Sequence, residues 1–256
     1  MRIAYIAANT FREAVRDRVL YNLIIFAFLM IGASLLLGQI TIGVERELLV
    51  NLGLTAISIF GVLIAIFIGI GLVSKEIDKR TVYTVLTRPV QRWQFILGKY
   101  FGLVGTLGVN TFFMAAGLFA ALLYVARGFQ RADLYVLVAI YFILLQFIMV
   151  TSFTMLFSSF STPIESAVMA FCFFVIGNFS EDLRGLANSS SGVVKVFATA
   201  AAYLVPNFSA LNVASSVAHG ESIAGNLIAL NTGYALLYSA AMVAAAALIF
   251  QRRNMK

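Results

Sequence analysis

The residues best able to do chemistry in this chain are gathered between Ser74 and Lys99, where Lys75, Glu76, Asp78, Lys79, Arg80, Arg88 and Arg92 crowd into one stretch. Ile77, Tyr83, Val85, Leu86 and Val90 are interleaved with them. Charge mixed with apolar side chains is the chemistry of docking, in which buried contacts are framed by polar ones that set register. Pro89 ends the short helix expected here, because the residue before a proline is pushed out of the helical region. Arg92, Trp93 and Lys99 stand where the next apolar run begins, the usual place for interfacial anchors. Anchoring needs only a few basic residues and no half-apolar helix between two runs. The stretch is expected to take a push from a soluble partner.

Catalytic signatures are missing from the sequence. It has no glycine-rich phosphate loop, no metal-ligand cluster and no nucleophile–base–acid set. His219, beside Gly220 and Glu221, has no second His or Cys nearby and reads as a surface residue rather than a ligand. Cys172, the single cysteine, lies among Phe171, Phe173 and Phe174, has no internal disulfide partner and reads as a small lipid- or helix-facing side chain. The expectation is a non-enzyme with no metal and no cofactor of its own. The apolar runs hold neutral polar groups instead: Asn110, Thr111, Gln146, Thr151, Ser152, Asn178, Asn231 and Thr232. A carrier driven by an ion gradient would hold intramembrane carboxylates, His or Lys. The neutral groups read first as hydrogen bonds between helices. Asn110, Gln146 and Asn178 are also the candidates for lining a substrate path.

These groups must be positioned by helices in lipid. The chain is 61% hydrophobic and 11% charged, with mean hydropathy +0.96, against about 25% charged in a soluble domain. Lipid leaves only helices or closed barrels, and the long unbroken apolar runs do not alternate as barrel strands do. The net charge of +7 sits in loops, where it orients a membrane protein and does not point to nucleic acid. The fold expected is an all-α membrane protein, one domain over 1–256. It has an amphipathic interfacial helix at 1–18, spans at 19–43, 48–73, 95–125, 134–157, 163–179 and 227–250, a coupling segment at 74–94 and an outer segment at 180–226. Ile3, Ile6, Ala7 and Phe11 form the apolar side of the first helix, which would lie in the interface or pack on a partner. Glu13 and Asp17 interrupt its basic region, so it does not read as a cleaved signal and the first span is expected to be retained.

Counting Lys and Arg orients the chain. One side holds Arg2, Arg12, Arg16, Arg18, Lys75, Lys79, Arg80, Arg88, Arg92, Lys99, Arg252, Arg253 and Lys256; the other holds Arg46, Arg127, Arg131, Arg184 and Lys195. The richer side is expected to be cytoplasmic, with both termini and the coupling segment there. The short turn before the fifth span carries Thr162 as N-cap, Pro163 at the first helical position and Glu165 three after the cap. Glu165 is most simply a helix-start carboxylate, with a second cytoplasmic contact as the sharper alternative. In the outer segment, Asn188 to Gly192 and Pro206-Asn207 mark breaks around an apolar stretch, read as a re-entrant or surface-lying helical element. Gly98 and Gly102 form a small-xxx-small pair that suits packing within one chain or between two.

The pattern Glu76-x-Asp78-x-x-Thr81, with Leu86, Pro89, Arg92 and Gly98-Lys99, resembles the cytoplasmic coupling segment of ABC-2-type permeases, the membrane halves of ATP-driven exporters. Lys79-Arg80-Thr81-Val82-Tyr83, with Arg88-Pro89 and Arg92-Trp93, is similar to the NosY-like subfamily associated with multi-copper enzyme maturation. Arg80 stands where many relatives have Gly. The resemblance implies a permease in the inner membrane that pairs with a second copy or a homologue and binds two separate ATPase subunits. ATP and Mg would be held by those subunits, and an extracytoplasmic protein is a further candidate partner beside membrane lipid. Glu76, Asp78, Arg80, Thr81, Leu86, Pro89 and Arg92 would then couple to the ATPase, with Thr162, Pro163 and Glu165 as a second contact. Two alternatives stay open: a non-transporting anchor that docks a cytosolic partner, and a self-sufficient channel or secondary carrier.

Overall fold

The computed structural model describes residues 2–14, 45–78, 91–126 and 133–252, with positions 25, 26, 29, 30, 32, 33 and 36 of the segment before residue 45. Every regular element among them is helical: α1 (Arg2–Ala14), α2 (Glu45–Asp78), α3 (Arg92–Ala126), α4 (Asp133–Phe160), α5 (Pro163–Asn178), α6 (Ser180–Ser189), α7 (Gly192–Leu204), α8 (Ala214–Ala218) and α9 (Gly225–Arg252). A 3-10 turn at Ser209–Leu211 precedes α8. Four helices, α2, α3, α4 and α9, are long and apolar enough to cross a membrane, and they take the places expected for spans two, three, four and six. The expected first span, 19–43, falls largely outside the described residues, though Phe26 and Met30 are buried there and Phe26 meets Phe60 of α2 edge-on.

The fifth expected span departs from its sequence reading. α5 is 16 residues long, about 24 Å of helix rise, short of the ~30 Å hydrocarbon core. It breaks at Phe179, and α6 leaves at 64°. Only the bent pair taken together passes as a span, so the described residues hold four candidate spans, or five with α5–α6. Most of the expected coupling segment, residues 79–90, lies outside the described residues. Glu76 and Asp78 continue α2, and α3 begins at Arg92.

α4 is the hub. Its Phe142, Phe147 and Phe153 are fully buried, and α2, α3, α5 and α9 all pack against it. Glycines set the closest approaches. A Cβ at Gly61 would lie 1.9 Å from the Phe147 ring, and one at Gly69 would lie 3.1 Å from Thr154. At one end of the bundle Arg46 of α2 donates through Nε and Nη2 to Asp133 of α4, the shorter bond 2.7 Å. Nearby, Glu47 faces His219 at 3.3 Å. At the opposite end Phe95 of α3 stacks on Phe250 of α9, with centroids 6.0 Å apart, and Met155 of α4 shares that cluster.

α1 lies across this second end. The Gly98–Gly102 pair forms its seat: a Cβ at Gly98 would meet Ile6 at 2.6 Å, and one at Gly102 would meet Thr10 at 2.6 Å and the Ala7 carbonyl at 2.7 Å. The small residues therefore serve packing within the chain, and the apolar side of α1 faces α3, with Tyr5 turned outward. Lys99 is not the exposed interfacial anchor expected for it. It is buried under α1, 3.9 Å from Glu13 and over the Phe95 ring. Leucine at position 102 overfills the seat, so Gly102→Leu should cost about 1–3 kcal/mol and lower the thermal melt of the purified protein. Gly108→Leu should leave it unchanged, because nothing lies within 4 Å of a Cβ there.

Candidate functional site

Two regions compete for function, one at an end of the bundle and one in its middle. At the end, α2 passes Gly69, which packs on Thr154 and Leu103, and runs on to Asp78. α3 starts at Arg92 beside it, and α4 ends at Phe160 on the same side. Arg80, Thr81, Leu86 and Pro89 lie outside the described residues. The α4–α5 turn completes this end. The Thr162 backbone N–H donates to the Glu165 carboxylate at 3.2 Å, closing a capping box, and the Ser161 hydroxyl donates to the same oxygen at 2.8 Å. Negative charge at a helix N-terminus also suits the helix dipole. Ile164 beside it is 79% exposed, an apolar side chain that the capping pattern did not single out.

The second region forms where α5 breaks. The chain returns from α7 as Val205-Pro206-Asn207-Phe208, and all four residues are buried. Here the backbone is neither helix nor strand, and inside the bundle it must find protein partners. The Asn207 N–H donates to the Tyr234 hydroxyl at 2.9 Å, and the Phe208 N–H donates to the Gly177 carbonyl at 3.1 Å. Asn207 Oδ1 accepts from the Ser180 hydroxyl at 2.6 Å and from the Ala210 N–H at 3.1 Å. The Ser209 hydroxyl donates to the Asn178 carbonyl at 2.6 Å, and Asn231 Nδ2 donates to the Ala210 carbonyl at 2.9 Å. Tyr234 lies nine residues into α9, about 13 Å of rise, so this knot sits well inside the bundle. Phe208 meets Phe153 and Phe174, which join Phe157 and Phe173 in one aromatic cluster. Gly177 admits it, because a Cβ there would lie 2.6 Å from the Phe208 ring. Sequence reasoning took Pro206-Asn207 as a helix end. The polar run Asn207, Ser209 and Asn212 within apolar surroundings was the available signal for more.

Beside the knot lies a cavity of about 200 Å³ between α2, α4, α5 and the 211–214 turn. Gln146 and Asn178 both line it, with Ser58 and Asn212. The Ser58 hydroxyl donates to Gln146 Oε1 at 3.0 Å, and Asn178 Nδ2 donates to the Phe174 carbonyl at 2.9 Å. Two of the three sequence candidates for a path are thus brought together. The third is elsewhere: Asn110 is buried in α3, its Nδ2 meets Met114 Sδ at 3.5 Å, and its Oδ1 has no partner among the described residues. No group of three or more His, Cys, Asp or Glu able to hold a metal occurs among the described residues.

The knot yields a direct expectation. Asn207→Ala strands the Ala210 N–H and leaves the Ser180 hydroxyl only the 3.4 Å contact with Ser209 Oγ, and a buried orphan costs about 1–3 kcal/mol. The variant should melt earlier than the parent and become cleavable near Val205 in limited proteolysis, while Asn212→Ala, exposed at the cavity, should do neither.

The family profile of ABC-2 family transporter proteins matches residues 4–255. No curated protein matches the chain. The match runs from α1 to beyond α9 and so takes in the helical core, the broken fifth helix and the buried return loop together. The chain belongs to the ABC-2 family of transporter proteins and is a multi-pass membrane component of a transport system.

Proposed function

We propose that this chain is the permease subunit of an ATP-driven ABC exporter, pairing with a second copy or a homologue and with two separate ATPase subunits. The observation that carries the reading is the common end of the bundle. The end of α2 at Asp78, the start of α3 at Arg92, the exposed turn at Ser161–Glu165 and the seated α1 all lie there. A soluble motor docking at that end would reach α2 and α3 through the segment joining them, and α4 and α5 through their turn. Motion of the motor would then pass into helices packed on α4. Glu76, Asp78, Arg80, Thr81, Leu86, Pro89 and Arg92 are the proposed coupling residues, with Thr162, Pro163 and Glu165 as a second contact.

By the sequence count, Lys and Arg are more numerous on the side expected for that end, which favours the cytoplasm for it and for both termini. The sequence carries no phosphate loop, so ATP and Mg belong to the partner subunits. The NosY-like version of the coupling motif supports that subfamily and leaves the cargo open.

Two measurements test the reading. Gentle solubilisation of the tagged chain should co-purify an ATPase of about 25–35 kDa, the size of a one- to two-domain protein. In the reconstituted complex, Glu76→Ala combined with Arg92→Ala should leave membrane insertion intact and abolish stimulated ATP hydrolysis. Undiminished stimulation in the double variant would overturn the assignment.

A further inference from the structure

A second opening lies on the far side of α2 from α4. It is an apolar groove of about 920 Å³ between positions 29, 32, 33 and 36 and α2, walled by Leu29, Leu36, Leu48 and Leu52. The polar cavity and this groove are neighbours across α2, with Thr55 and Ile59 lining both. We propose that the two form one continuous binding site for an amphipathic molecule with an uncharged, hydrogen-bonding head and an alkyl or acyl tail.

The head end is argued from unspent hydrogen-bonding capacity. Gln146 is 7% exposed, and its only hydrogen bond among the described residues is the one accepted from Ser58. A primary amide has two N–H donors and a carbonyl, so either orientation of the Gln146 side chain leaves polar capacity unmet beside the cavity. Asn178 Oδ1 is likewise without a partner among the described residues. Unused hydrogen-bonding capacity on a buried residue such as Gln146 is costly, and a ligand hydroxyl, amide or sugar would engage it together with the part-buried Asn178.

Charge excludes the commoner amphipaths. Every described residue lining the cavity or the groove is neutral. A phosphate, carboxylate or ammonium moved there would lose its hydration with no counter-charge. The groove end suits a tail, since its walls are aliphatic and partly exposed, with Leu36 60% and Ile59 51% accessible along one side. As a cargo site it rests on the exporter reading; as a binding site it does not.

The test uses the full chain in phosphatidylcholine nanodiscs at sub-saturating probe. A monoacylglycerol with a photoreactive tail is compared with the matching fatty acid and lysophosphatidylcholine. The monoacylglycerol should label the α2 stretch 48–60 in preference to both charged probes. Gln146→Leu should weaken that labelling about ten-fold, the effect of one lost buried hydrogen-bonding partner. Thr55→Trp, at an exposed position lining both cavity and groove, should abolish it without depending on a core substitution, and Gly108→Leu should not alter it. Equal labelling by the charged probes, or labelling unchanged in both variants, would overturn the proposal. Adding ATPase subunits and ATP separates the two readings. Labelling that persists and never responds to ATP would count against export while leaving the site intact.

Discussion

A backbone that leaves helical geometry inside a lipid-embedded bundle has no water to turn to, and the interior of this protein is organised around that constraint. α5 stops at Asn178, well short of a full crossing, and the chain returns through Val205 to Phe208 without regular structure. The Asn207 and Phe208 N–H groups are answered by Tyr234 from α9 and Gly177 from α5, and side chains of the return are tied to Ser180 of α6 and Asn178 of α5. Asn207 takes part in three of the bonds in this region. Its side chain works as a local substitute for the missing helical partners, while Phe208 fills the aromatic cluster below.

Close backbone approach makes the knot possible. Gly177 lets Phe208 reach α5, Gly61 accepts the Phe147 ring, and Gly98 with Gly102 seats α1 on α3. In lipid there is little hydrophobic drive between helices, so van der Waals contact at such points carries much of the association. The same economy of space leaves openings where the packing is interrupted. The cavity beside Gln146 exists because α5 ends early and the 211–214 turn, not a full helix, covers α2 and α4. A break in one span thus creates both the structural knot and the polar chamber next to it.

Much of the fold was legible in local pattern. Helix α1, four of the spans, the capping box of Thr162 and Glu165, and the absence of a phosphate loop all follow from residue type and spacing. The candidate path was legible in part: neutral amides stand out in apolar runs, but nothing in one dimension says which of them meet. Gln146 and Asn178 share a cavity because α4 and α5 pack through Phe153 and Phe173, while Asn110 turns to Met114 within its own helix. Lys99 was misplaced for a related reason. Charge beside an apolar run predicts an interface, and only the seating of α1 on Gly98 and Gly102 buries it.

The sequence by itself determined the solvent, the helical class and the positions of the four long spans. Composition and periodicity are sums over neighbours in the chain, and lipid imposes rules that such sums capture. Tertiary structure alone decided that α5 and α6 form a bent pair, that Pro206-Asn207-Phe208 is a buried plug, that the glycine pair serves α1, and that Gln146 and Asn178 face one chamber. Each of those depends on residues far apart in sequence coming within hydrogen-bond or van der Waals distance. That information resides in the packing of whole helices.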